Sequence, residues 1–323
     1  MSPPVRLSGV GIACSFGEDA QEAEGRAGRL RGALSALARA GSPPVRLVHP
    51  IEEVALLSAY EALSHSGMGV PLGGEGAGIA VGVEEGIDPI KADYYRGVLR
   101  DGPLGASPLA FPFTAPNTIA ARISILMDLR GENHTVCGGS LSGAQAIGLA
   151  LEGLREGRSP AMLAGAATSV TREFLDALSL TGRPAGGESG CGACMFLLEP
   201  RVSGEEEEGA GQLLGYAEGF GQDEVGDAIR GCLEDAGRFP NQIGAVRAAS
   251  VDDLRPLVEA LRRWGVRAPI VRSPSSWMYS AAFPMAVAEA AGQAASAAQR
   301  LVLVVGTDCL AGASAVLVRR GRA

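Results

Sequence analysis

Cysteine and histidine are the residues of this chain best suited to metal, redox or nucleophilic chemistry, and there are six of the first and three of the second. Of Cys14, Cys137, Cys191, Cys194, Cys232 and Cys309, only Cys191-Gly-Ala-Cys194 has a spacing that such chemistry uses. A zinc site needs a second ligand pair, and none is visible. The six therefore read as free, mostly buried thiols of a reducing compartment, and no metal or cofactor is expected. The histidines are His49, His65 and His134. A serine hydroxyl becomes a nucleophile only beside a base that takes its proton. His134 lies six residues before Ser140, near the start of a strand, and reads as a strand histidine rather than as that base.

The elements that would position these residues alternate along the chain. Val5–Ser15 is an apolar, β-branched run ending in a Gly turn, and Ile51–Gly67 has helical spacing with Leu56, Ala59, Tyr60 and Leu63 on one side. Strands are predicted at Gly78–Val83, Asn133–Gly138, Ala161–Ala167 and Cys194–Leu198. Helices are predicted over Thr118–Leu129 and over Ser142–Glu156, whose first three turns are apolar on nearly every face, as in a buried helix. The acids Glu205–Glu208 read as a solvated linker. Beyond them the pattern restarts: strands at Gln212–Phe220, Ala245–Val251, Ile270–Arg272, Leu301–Val305 and Ser314–Val318, and helices at Glu224–Asp235, Asp253–Trp264 and Ala281–Gln299. This is an α/β chain of two similar halves, 1–200 and 201–323. The alternation predicts largely parallel sheets covered by helices, stacked as a five-layer αβαβα sandwich.

Composition narrows the function. Hydrophobic residues make up 46% but aromatics only 5%, so Ala, Val, Leu and Gly must fill the interior. A net charge of −8 argues against nucleic acid, whose phosphates call for a basic face. No apolar run reaches the ~18–20 residues of a membrane helix, and no charged-then-apolar leader opens the chain. A cytoplasmic location with no membrane span is expected.

The segment Pro116–Thr168 narrows it further. Pro116-Asn117, Leu129-Arg-Gly, Asn133, the turn Ser142-Gly143-Ala-Gln-Ala-Ile-Gly and Leu163-Ala-Gly fall at the spacing of one known family. The segment resembles the core of β-ketoacyl-acyl-carrier-protein synthases. The opening Ser8-Gly-Val-Gly-Ile-Ala-Cys-Ser-Phe-Gly17 and the closing Leu310-Ala-Gly-Ala-Ser-Ala-Val-Leu-Val are similar to the family's ends. The resemblance implies a thiolase-like fold. Against the family, residues 18–48 and the loop between Val170 and Gly190 look trimmed.

In that family a Cys at the head of the buried helix is activated by the helix dipole and backbone N–H groups, and two His and a Lys assist decarboxylative condensation. By this resemblance the Cys falls on Ser140, the first His on Ala249, the Lys on Ser275 and the second His on Ser280. An acidic position falls on Cys191 and a gating Phe on Leu310. Losing one acid–base group typically costs ~10²–10⁴-fold. Here the nucleophile and its helpers are missing together, which implies that condensing activity is absent.

Inactive relatives called chain length factors (KSβ-like subunits) pair with an active ketosynthase and bound its acyl tunnel. The resemblance implies the same heterodimeric role here, setting chain length in type II polyketide, aryl-polyene or fatty-acid-like synthesis. Interface and tunnel residues carried over are Leu109, Phe111, Phe113, Thr114, Pro116, Asn117, Ile119 and Leu310. Phe111 and Phe113 are two apart and would project the same way from an extended chain. The bland reading of this pair is ordinary core. Ser140 departs from the Gln common at this position in chain length factors. Two alternatives stand beside the pairing reading: a serine acyltransferase or hydrolase using Ser140, and a homodimeric acyl-binding protein. An acidic acyl carrier protein would be met only indirectly, through the partner, because the net charge repels it. Arg262, Arg263 and Arg267 could reverse that locally.

Overall fold

A computed structural model describes residues 2–47, 49–72, 76–84, 88–180, 189–201, 211–249, 253–275, 278–292, 300–308 and 312–321. In chain order the elements are β1 (Val5–Cys14), α1 (Ala20–Arg39), α2 (Pro50–His65), β2 (Gly78–Val83), α3 (Asp88–Asp101), α4 (Thr118–Met127), β3 (Asn133–Val136), α5 (Ser142–Arg155), β4 (Met162–Val170), α6 (Arg172–Leu180) and β5 (Gly190–Pro200). They continue with β6 (Gln212–Phe220), α7 (Glu224–Ala236), β7 (Ala245–Ala249), α8 (Leu254–Arg263), β8 (Ile270–Arg272), α9 (Ala282–Gly292), β9 (Leu301–Thr307) and β10 (Gly312–Arg319).

The strands lie in the order β3-β2-β4-β5-β1-β6-β10-β9-β7-β8. Counted from the first strand of each half, both halves have the same order, third-second-fourth-fifth-first. They are joined where β1 and β6 pair over Val5–Leu213 and Arg6–Gln212. The sheet is mixed rather than largely parallel. β2 runs parallel to β3 and β4, and β7 to β8 and β9, but the pairs involving β1, β5, β6 and β10 are antiparallel. The last two strands of each half pair antiparallel with each other, so each parallel trio is flanked by an antiparallel pair.

Three apolar cores separate the layers. The middle core holds α5 and α9 between the two halves of the sheet, with Ile147, Leu151, Phe196, Phe283, Val304 and Val316 in contact across it. The outer cores lie under α1, α2 and α4 on one side and under α7 and α8 on the other. Glycine permits the tightest of these contacts: a Cβ on Gly11 would lie 1.9 Å from the Ser58 carbonyl oxygen, so α2 rests its backbone directly on β1.

Residues 18–48, which look trimmed by sequence, hold the twenty-residue helix α1. Its N-terminus is closed by a capping box between Asp19 and Glu22. The Glu205–Glu208 linker, Leu310 and Cys309 lie outside the described residues. Phe111 and Phe113 are not extended: Phe111–Thr114 is a 3-10 turn with Pro112 in its first positions, so the two rings diverge.

Candidate functional site

Strand β3 delivers the chain to Cys137 and the two glycines before Ser140. Gly139 takes a left-handed φ of +70°, which a side chain would resist. The turn is tied by Ser142, whose hydroxyl donates to the Gly139 carbonyl at 2.6 Å and accepts from the Gly138 N–H at 2.8 Å. Ser140 therefore sits half-buried in the 3-10 turn at the head of α5. The N–H groups and dipole of that helix favour negative charge there.

The residues facing this turn come from the C-terminal half. Ser280 is buried, and its hydroxyl donates to the Ala167 carbonyl at 3.1 Å. A Cβ on Gly143 would lie 2.3 Å from the Ser280 carbonyl oxygen and 2.7 Å from Pro284 Cδ, so α5 and the segment before α9 are in direct contact. Ala249 ends β7 in the middle core. A Cβ on Gly306 would lie 3.2 Å from both the Ala249 carbonyl oxygen and Leu141 Cδ2, which puts Ala249 beside the Ser140 turn. The structure thus brings Ser140, Ala249 and Ser280 together, and none of the three carries a thiol, imidazole or ammonium.

Ser275 and Cys191 are engaged elsewhere. The Ser275 hydroxyl donates to Glu289 Oε1 at 3.1 Å. Cys191 faces the outer core under α2, with its sulfur 3.5 Å from Ser169 Oγ, whereas Cys194 faces the middle core. The two sulfurs of the CxxC pair thus point to opposite sides of β5, which cannot share one ion. The histidines make their contacts elsewhere, and His134 Nε2 is left without a hydrogen bond among the described residues. His49 Nδ1 accepts the Ile51 N–H at the start of α2, and His65 Nδ1 is 2.6 Å from the Val10 carbonyl oxygen. His134 lies 3.8 Å from Glu132, whose carboxylate is held by Arg158 beyond the far end of α5.

Burial raises the thiol pKa of Cys191, Cys194 and Cys232, and also that of Cys14. A raised pKa leaves less thiolate at pH 8, and the thiolate is the reacting species. Iodoacetamide at pH 8 is therefore expected to modify exposed Cys137 first and to leave Cys191, Cys194 and Cys232 intact in the folded protein. Peptide mass mapping checks this, and early labelling of Cys191 would contradict it.

Two features escaped the sequence reading. Beneath Ala249 on the same strand, buried Arg247 pairs with Glu289 at 2.5 Å, and Glu289 also accepts from Ser273 at 3.0 Å. A lone charge inside each of two apolar elements, β7 and α9, was the available signal. Tyr279 takes a left-handed φ of +45° beside Ser280. Its ring meets Phe174 of α6 edge-on at 5.0 Å. A non-glycine residue in that region costs on the order of 1–2 kcal/mol.

The carried-over interface residues divide. Leu109 is 84% and Phe111 61% exposed, with Phe111 against Tyr94 at 6.0 Å. Phe113 lies 5.2 Å under the Arg122 guanidinium, which is itself bound to buried Glu52 of α2. The Thr114 hydroxyl donates to the Phe111 carbonyl at 2.7 Å, closing the turn. Pro116 is half-buried and Asn117 exposed at the start of α4. Ile119 is buried in the outer core and takes no part in the surface. Missed by sequence were Tyr95, Leu99 and Leu104, the two leucines 85% and 97% exposed, on α3 and the turn that packs on it. At the sheet's end, β3 pairs only with β2, leaving one edge without a strand among the described residues.

Solved structures share this fold. A ketosynthase/chain length factor for ishigamide aligns over 98% of this chain and 99% of its own, with a TM-score of 0.68 and 21% identity. A type II polyketide acyl-carrier protein in complex with its ketosynthase bound to the hexaketide gives a TM-score of 0.71 at 15% identity, covering 99% of each chain. A β-ketoacyl synthase from Burkholderia phymatum gives 0.74 at 18%, covering 100% of each. Among curated proteins, a putative polyketide β-ketoacyl synthase of Streptomyces virginiae is 28% identical over 207 residues, 53% of this chain. Nodulation protein E of Rhizobium leguminosarum bv. trifolii is 32% identical over 114 residues, 35% of this chain. The aligned stretches span 48% and 28% of those two relatives. The family model for the N-terminal domain of β-ketoacyl synthases matches residues 16–180, just over half of the sequence, and the chain belongs to the β-ketoacyl synthase family.

Proposed function

We propose that this chain is a non-condensing subunit that pairs with a catalytically complete ketosynthase and bounds its acyl tunnel. The observation that carries this reading is the chemistry where Ser140, Ala249 and Ser280 meet: a hydroxyl, a methyl and a second hydroxyl already bonded to the backbone. None of these three can form an acyl thioester, accept a proton near neutral pH or stabilise an enolate by charge.

Pairing is supported by the open edge of β3 and by the apolar surface of Tyr95, Leu99, Leu104, Leu109 and Phe111, a kind of surface that marks an interaction site. Two similar solved proteins are named for a ketosynthase with a chain length factor and for a ketosynthase with its acyl-carrier protein. A carrier-bound acyl chain grown by the partner is accordingly the substrate of the pair, in polyketide or fatty-acid-like synthesis. In this reading the halves 1–200 and 201–323 act as one rigid body around the middle core.

Placing a carboxylate in the centre of such an apolar contact weakens it strongly. The double variant Leu109→Asp/Phe111→Asp is expected to weaken association with the ketosynthase by at least about tenfold while leaving the melting temperature of the isolated chain unchanged. Unaltered affinity by analytical ultracentrifugation would place the interface elsewhere.

A further inference from the structure

A groove of about 620 Å³ runs along one face of α5, from Val136 at the end of β3 to Asp235 near the end of α7. Four carboxylates line it, Glu152, Glu156, Glu218 and Asp235, against one guanidinium, that of Arg155. Asp235 is bound to Arg155 at 2.8 Å, and Arg158 beside the groove reaches Glu156 and, at 3.9 Å, Glu152. Arg158 also binds Glu132 at 2.7 Å, so it leaves the excess of negative charge in place. Glu218 has no ion pair among the described residues. Its oxygens accept from the Tyr216 hydroxyl and from Gln145 Nε2 at 3.3 Å.

Two further features mark the place. Ser314 lies opposite Glu218 on β10, fully buried, with its hydroxyl unpaired among the described residues. Cross-strand partners project to one face, so an unsatisfied polar group stands behind a carboxylate that lacks a cation. Burial, and then the neighbouring Glu218, hold the Tyr216 phenol well above its ordinary pKa, so it stays a donor to that carboxylate. The groove also adjoins the free edge of the sheet, because Val136 ends β3, which pairs only with β2 among the described residues. A second copy joined through β3 about a twofold axis would set groove against groove, since both chains present the same surface.

We propose that this groove chooses the partner by charge: it takes an arginine or lysine side chain of the ketosynthase against Glu218 and turns away a second copy of this chain. This rests on the reading that the chain pairs with a ketosynthase, and it adds which residues select that partner. Charge complementarity and continuity with the β3 edge fix the occupant. Carboxylates facing carboxylates across an interface suppress the wrong partner, while a cation in their midst favours the right one. A guanidinium fork suits a carboxylate already held in place by Tyr216 and Gln145.

The test is sedimentation of the isolated chain, and of the chain with the ketosynthase encoded nearest its gene. Glu152→Gln/Glu218→Gln keeps the side-chain shapes and removes two charges. It is expected to weaken association with the ketosynthase about tenfold and to strengthen self-association by a similar factor. Raising salt from about 50 to 300 mM is expected to move the unaltered chain in the same two directions. The control Glu24→Gln/Glu234→Gln removes the same charge from exposed positions on α1 and α7 and is expected to change either affinity by less than about twofold. Should Glu218→Gln unfold the chain, Glu152→Gln/Glu156→Gln at the exposed rim carries the same expectation. Unchanged affinity for the ketosynthase, or a double variant that self-associates no more than the unaltered chain, overturns the groove as selector. Spermidine bound through Glu218 with pairing unaffected overturns it too. An intact complex indifferent to these variants rejects the groove alone, and no complex with the unaltered chain rejects pairing and groove together.

Discussion

Ser140→Ala is expected to leave condensation by the assembled pair within about twofold of the unaltered pair, while removing the ketosynthase's own nucleophile lowers it by more than about a thousandfold. The asymmetry follows from the groups around each position. Ser140 has the head of α5 behind it, and the three histidines make their contacts elsewhere: His49 caps α2, His65 meets Val10, and His134 is turned toward Glu132. Its neighbours Ala249 and Ser280 supply neither proton acceptor nor charge. Restoring the thiol alone, Ser140→Cys, would still lack both histidine roles and is expected to give no condensation by the isolated chain. Radiolabelled malonyl transfer measured with each variant checks this. A drop of tenfold or more for Ser140→Ala with the complex intact would revive the serine acyltransferase reading.

Gly143→Val is expected to destabilise the protein by about 3 kcal/mol or more, the largest stability effect predicted at the site. The added Cβ would lie 2.3 Å from the Ser280 carbonyl oxygen and against the Pro284 ring, and neither can move aside as a flexible side chain would. Because α5 and α9 together fill the middle core, the strain falls on the contact that holds the two halves together. Gly25→Ala makes the opposite change. Gly25 lies within α1 with open space where its Cβ would be, and alanine there is expected to stabilise by about 0.5–1 kcal/mol. Urea unfolding of the two variants tests both signs. A Gly143→Val protein as stable as the unaltered one would mean that α5 and the Ser280 segment are not in direct contact.

Much of the fold was legible because period and burial agree. β2, α5, β6 and β8 stand within a residue of where the apolar patterns put them, and α5 reads as buried because small apolar residues cover nearly all its faces. Helix α1 was missed because only Leu30, Ala33 and Leu37 are buried along twenty residues, a stripe too thin for a periodicity reading. Its Asp19–Glu22 capping box was the signal left unused. The parallel expectation failed where local order and pairing part company. β9 and β10 are joined by a short connection, which favours antiparallel neighbours whatever helices lie upstream.

The site was legible only through motif spacing. That spacing located Ser140, Ala249 and Ser280, which the fold does bring together, but it could not orient Cys191, whose position along β5 turns it to the outer core. Nor could it find Arg247 and Glu289, which lie 42 residues apart and meet only when α9 packs on β7. The surface residues were half legible. Leu109 and Phe111 are exposed, but Pro112 bends the segment into a 3-10 turn that sends Phe113 beneath Arg122.

Pairing without chemistry is tested by co-expressing this chain with the ketosynthase encoded nearest its gene, followed by native and intact mass spectrometry. A one-to-one complex is predicted, with an acyl group on the ketosynthase after incubation with activated acyl thioester and none on Ser140. A stable homodimer that ignores the ketosynthase, or an acyl adduct on Ser140, would contradict it.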